Sequence, residues 1–367
     1  MAPSRPKGNG DAPPSAGTYL NDAETQLNAG NIDEAISLAD QALGATGQGG
    51  DFELRALNLL GVLHIESGDI EEAREYFLRS VKLDEDGTVD EKIGGGPEKF
   101  LFLAQLSEDG GQDSVQWFDR GASALRKQIQ SLADVAKKTP AQQASHDEKQ
   151  QKLGEVLCAV AEVYMTDLSW EDDAEQRCET LVTEAMMIAP NSAETWQTVA
   201  NVRISQERVD EARTALKRSL GMWSELEPEH PAVPEFPVRI GLARLLLEVE
   251  LLDEASVVLE RLISDDDESV EAWYLGGWCL YLVGEKVQDI RGKESDEWQP
   301  AWESARRWLA RCLKIYEAQE YEDERLGQHA DELMHNINKE LGDPPPGFED
   351  DWGEESDEED EDEDMKD

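Results

Sequence analysis

The sequence predicts an all-α protein, a superhelical solenoid of about seven helical hairpins closed by a C-terminal capping helix. Three observations carry that expectation. Four of the fifteen prolines fall in residues 3–14, four in 228–237 and three at 344–346, and the long stretches between are helix-compatible with almost no alternating β-branched runs. A bulky apolar residue stands sixteen positions ahead of a small one in three separate segments, at Tyr19 and Ala35, Leu57 and Ala73, and Trp196 and Ala212. Small residues belong where two helices must cross closely and bulky ones where the crossing must be filled, so the interval reads as the two arms of one hairpin repeated.

Taken in order, the first hairpin is marked by Tyr19, Ala23 and Ala35 and the second by Leu57, Leu60, Gly61, His64, Ala73 and Phe77. The third has Phe100, Leu103 and Ala104 with Trp117 and Phe118 on its return arm, and the fourth Leu157, Ala161 and Tyr164, closing on Pro190. Trp196, Val199, Ala200, Ala212 and Leu216 mark the fifth, and Leu242, Ala243, Leu246, Ala255 and Leu259 the sixth. The seventh opens with Trp273, Gly276 and Gly277, and its partner arm is delayed to about 298–316. A last helix over 321–341 places Leu326, Ala330, Leu333, Ile337 and Leu341 on one apolar stripe, as a capping helix requires. Two departures are expected: an added polar helix in 121–152 and an interruption at 284–299. Residues 1–17 and 342–367, rich in Pro, Gly and charge and without apolar periodicity, are expected to be disordered segments flanking an ordered unit at 18–341.

These hairpins resemble the tetratricopeptide repeat, over about nine tenths of the chain. In such a superhelix the first helix of each pair lines the concave face.

Charge limits what that face can hold. With 34 basic and 82 acidic residues the formal net charge is −48, divided into +1 for residues 1–17, −35 for 18–342 and −14 for 343–367. Phosphate backbones and anionic membranes would be repelled, so no direct nucleic-acid or membrane binding is expected and the natural partner is cationic. The longest apolar run, 273–283, has 11 residues, short of the roughly 20 that cross a bilayer. The first residues hold no apolar signal core, which fits an intracellular protein. Cys158, Cys178, Cys279 and Cys312 are far apart and set among apolar helix residues, as reduced core thiols are.

Catalytic chemistry is not expected. Gly94–Gly96 is followed by Pro97 and lacks the lysine and hydroxyl of a phosphate loop, so it reads as a linker. The five histidines form no metal-ligand pair, and no cofactor or metal site is expected.

Groove positions in the repeat register include Asn58, Val62 and Glu66 in the second hairpin, Glu98, Gln105, Glu108 and Asp109 in the third, and Glu155, Cys158 and Glu162 in the fourth. Glu194 and Asn201 follow in the fifth, Glu248 in the sixth, and Glu271, Tyr274, Trp278 and Tyr281 in the seventh. The only basic residues among the neighbouring groove positions are Arg55 and Arg244, which disfavours the Lys/Arg/Asn clamp by which some tetratricopeptide co-chaperones hold a carboxylate. Tyr274, Trp278 and Tyr281 form one stripe, to be read either as core or as a hydrophobic and cation–π platform.

The repeats, the Pro-rich hinge and the acidic end DPPPGFEDDWGEESDEEDEDEDMKD together make the chain similar to the fungal family of dedicated assembly chaperones of the large-subunit ribosomal protein L-four. That resemblance implies capture of the newly made basic ribosomal protein through its extended internal loop, escort from cytoplasm to nucleus, and release into the assembling pre-60S subunit. It also implies contact with a nuclear import receptor through the client, and the chain itself is expected to be monomeric. Composition and spacing alone support an acidic repeat chaperone for a basic client. A histone chaperone of the same repeat class and a scaffold for peptide motifs remain as alternatives.

Overall fold

A computed structural model describes residues 14–344. Among them are fifteen α-helices, two short 3₁₀ turns and no β-strand. The chain divides into two compact units, one ending at Pro190 and one beginning at Asn191.

The N-terminal unit holds four hairpins: α1 (Ala16–Asn28) with α2 (Ile32–Thr46), α3 (Glu53–Glu66) with α4 (Ile70–Leu83), α5 (Glu98–Gln105) with α6 (Gly111–Ala133), and α7 (Pro140–Met165) with α8 (Ala174–Ile188). Each second helix also packs on the first helix of the next pair. Helix α1 starts at Ala16, two residues ahead of the expected boundary, because the Ser15 hydroxyl accepts the Thr18 N–H and caps it. In α4, Ala73, Phe77, Ser80 and Val81 recur at three- and four-residue steps and form the buried face. Gly61 shows why a small residue stands at the crossing. A Cβ there would lie 2.5 Å from the Phe77 ring.

The C-terminal unit pairs α9 (Ala193–Ser205) with α10 (Val209–Gly221), α11 (Phe236–Glu248) with α12 (Leu252–Asp265), and α13 (Val270–Arg291) with α14 (Gln299–Ala318), and ends on α15 (Glu324–Leu341). Helices α9, α11, α13 and α15 touch in succession and form one layer, with α10, α12 and α14 on the other. Leu326, Ala330, Leu333 and Ile337 of α15 are buried in one cluster with Trp273, Trp302 and Leu309 of the last hairpin. Gly276 lets that hairpin close: a Cβ would lie 2.0 Å from the Trp308 ring, and such overpacking costs about 1–3 kcal/mol. The four cysteines are buried thiols, and burial pushes Cys312 up to about 12.

Three expectations are corrected. The added polar helix of 121–152 does not exist as a separate element. Its residues extend α6 at one end and α7 at the other, and the break falls where Thr139 and Gln142 form a capping box ahead of Pro140. The interruption at 284–299 begins later than expected, since α13 runs on to Arg291 and stops at Gly292 in a positive-φ conformation. Glu108 and Asp109 are not on a first helix. Helix α5 has only 8 residues and ends at Gln105, so both side chains stand exposed on the loop that turns through Gly110 and Gly111. The expected segment 342–367 lies outside the described residues except for 342–344, as do residues 1–13.

Candidate functional site

The N-terminal unit contains an open cavity of about 720 Å³ lined mainly by its first helices, α1, α3, α5 and α7, with Leu125 of α6 and with the loop between α4 and α5 at its rim. Its charged lining comprises five carboxylates, Glu24, Glu91, Glu98, Glu148 and Glu155, against three cations, Arg55, Lys149 and Lys152. Leu59, Val62, Phe102 and Leu125 supply the apolar part. Such a surface offers acceptors for ammonium and guanidinium groups next to apolar contact area, the chemistry an extended basic segment needs.

The rim is built on a buried ion pair. Asp84, at the end of α4, accepts the backbone N–H groups of Thr88 (2.9 Å) and Val89 (3.1 Å) on Oδ1, and on Oδ2 the backbone N–H of Gly96 (3.1 Å) and the side-chain ammonium of Lys99 (2.6 Å). Burial alone would raise the Asp84 carboxyl, yet the hydrogen bonds from Lys99, Val89 and Gly96 and the Lys99 charge together bring it below its ordinary value. Lys99 is lowered by burial, which its contact with Asp84 only partly offsets. This pair fixes the glycine linker. Gly94 lies at φ +89°, where a Cβ would lie 2.6 Å from the Arg55 backbone, and its carbonyl accepts the Asn58 amide at 2.6 Å.

Of the positions expected on the groove, Arg55, Asn58, Val62, Glu98 and Glu155 line this cavity. Asn58 is held between Gly94 and the Ser80 hydroxyl, so it acts as a strut of the wall. Glu66, at the end of α3, and Glu162, on α7, are exposed and outside the lining. Arg55 is engaged with Glu24 at 2.7 Å, and Arg244 with Glu271, which further reduces what a carboxylate clamp could use.

In the C-terminal unit, Glu194 and Glu248 are exposed on α9 and α11, and Asn201 and Glu271 are half-buried. The aromatic stripe of α13 packs at one end into the core, while Tyr274 and Trp278 stay half-buried. Tyr281 is buried, with its ring stacked on Trp302 at 4.8 Å, and the Tyr274 hydroxyl meets His329 Nδ1 of α15 at 2.7 Å. Trp278 stands edge-on to the same histidine at 5.4 Å. The last helix therefore flanks the stripe, through His329 beside its apolar face.

Glu24, Glu91, Glu148, Lys149 and Lys152 were not among the expected site residues. The lysines left a trace in the sequence: residues 120–152 carry seven basic and three acidic side chains, a net-positive stretch in a chain of the opposite sign.

The tetratricopeptide-repeat family profile matches residues 15–86, which span α1 to α4. A probable assembly chaperone of rpl4 from Emericella nidulans is 45% identical over 330 residues, covering 88% of this chain and 81% of the relative. The chain belongs to the rpl4 assembly-chaperone family. Its counterpart in Schizosaccharomyces pombe, also a probable assembly chaperone of rpl4, is 31% identical over 285 residues, or 77% of this chain and 80% of that one. A solved structure of residues 1–338 of an assembly chaperone of RpL4, Acl4, superposes with a TM-score of 0.71 at 56% identity, covering 76% of this chain and all of the other. The class is thus an all-α tetratricopeptide-repeat solenoid, in a family of chaperones rather than enzymes.

Proposed function

We propose that this chain is the dedicated chaperone of newly made ribosomal protein rpl4, and that it holds the basic, extended internal loop of that client in the acidic cavity of its N-terminal unit. The family supports the client, and the excess of carboxylates over cations in the cavity, beside Val62, Phe102 and Leu125, carries the placement. Free in solution, a cationic loop suited to ribosomal RNA would bind the wrong polyanion, and the cavity offers substitute counter-charges until RNA of higher charge density displaces them. The proposal includes travel from cytoplasm to nucleus as a one-to-one complex, an import receptor reached through the client, no direct nucleic-acid contact by the chaperone, and release into the assembling pre-60S subunit.

Titrating rpl4 into the full-length chain at about 0.05 M and about 0.5 M salt tests this reading. The Debye length falls from roughly 14 Å to roughly 4 Å over that range, so affinity is expected to drop by at least about tenfold. Equal affinity at both salt concentrations would favour a scaffold for neutral peptide motifs. Tighter binding of core histones than of rpl4 in the same titration would favour a histone chaperone.

A further inference from the structure

The three cations of the cavity all sit against its carboxylates. Lys149 Nζ lies 2.5 Å from Glu91, and Lys152 Nζ lies 3.8 Å from Glu98 and 4.0 Å from Glu155, while Arg55 is held by Glu24. Lys149 and Lys152 enter from the N-terminal extension of α7, which makes that helix 26 residues long where most first helices here have 13 or 14. The extension has no apolar stripe of its own: the buried residues of α7 begin only at Leu153. Its contribution to this wall is the side chains it presents to the cavity.

Resting on the placement of the client just given, we propose that Lys149 and Lys152 are built-in stand-ins for the client's cations, and that an incoming basic segment exchanges with them for Glu91, Glu98 and Glu155. The Lys152 pairs are long and exposed, with side-chain exposure of 40% at Lys152 and 55% at Glu98, and so are weak, whereas Lys149, 16% exposed against Glu91 at 50%, is the firmer of the two stand-ins. Exchange therefore costs little when a well-fitted segment also fills the apolar part of the cavity. A segment that brings charge alone gains little over the lysines already there. The arrangement lowers affinity for every basic segment by a similar factor, so that a chain bringing charge alone is held only weakly while one that also fills the apolar part stays bound.

The test uses the full-length chain, a fluorescent deca-lysine peptide and rpl4. Lys149→Gln with Lys152→Gln keeps the helix-forming character of α7, and circular dichroism confirms the fold. The double variant is expected to bind deca-lysine about five- to tenfold tighter at low salt, as two released pairs would give, and to bind rpl4 with a comparable gain. Unchanged or weaker deca-lysine binding overturns the exchange. Glu98→Gln with Glu155→Gln separates that failure from failure of the site itself. If this second variant loses rpl4 affinity while the lysine variant is unaltered, the cavity stands and only the stand-in role falls. If neither variant changes either ligand, the placement of the client falls as well.

Discussion

Asp84→Ala is expected to destabilise the N-terminal unit by about 3–5 kcal/mol, the largest stability effect of any single substitution considered for this chain. The carboxylate gathers four donors, and its removal leaves the Lys99 ammonium, whose side chain is 0% exposed, without its charge partner. The consequence reaches the cavity, since Gly94 to Pro97 form its rim and Gly94 O anchors Asn58. Urea unfolding followed by circular dichroism measures the loss. Asp84→Ala combined with Lys99→Met should recover much of it, because no buried charge is then stranded. The pH dependence has a fixed sign. A carboxyl lowered in the folded state contributes fully above the ordinary aspartate value of 3.8, and that contribution is lost as pH falls through the depressed value. An Asp84→Ala variant within about 1 kcal/mol of the parent would show that the pair does not hold the rim.

Reversing charge at Glu98 and Glu155 together is expected to weaken rpl4 binding by about 10- to 100-fold at low salt. Both carboxylates line the cavity and both stand near Lys152, so reversal removes two acceptors and crowds three cations where an incoming basic segment would lie. The same reversal at Glu66 and Glu162, exposed on α3 and α7 but outside the lining, should change affinity by no more than about two- to threefold. Titration of rpl4 into each variant at matched salt separates the two results. Equal losses from both pairs would mean that the client senses net charge only, with no defined seat.

The hairpins were legible because their packing leaves a local trace. Ala35, Ala73 and Ala212 are fully buried at the sixteen-residue interval, and the Gly61 and Phe77 contact follows from the same spacing. The capping helix was legible for a similar reason, since Leu326, Ala330, Leu333 and Ile337 repeat at helical steps. What escaped the sequence depends on distant partners. The loop after α4 is fixed by Asp84 reaching Lys99 fifteen residues on, and no periodicity marks such a pair. Helix α5 stops at Gln105, with the Leu106 carbonyl taken by Arg74 of α4, 32 residues away, and Glu108 and Asp109 fall on the loop beyond. The contact of the α13 stripe with His329, 55 residues from Tyr274, has no local trace either. In α7 the polar N-terminal half has no apolar register to read, so its placement along the cavity, with Lys149 reaching Glu91 58 residues away, is visible only in three dimensions.

Hydrogen exchange of the full-length chain with and without rpl4 tests the central claim most directly, because it reports where the client sits without altering any residue. Bound client is predicted to slow exchange in α3, in the loop through Gly94 and Gly95, in α5 and in the N-terminal half of α7. Protection confined to the C-terminal unit, with these segments exchanging as in the free chain, would contradict the account.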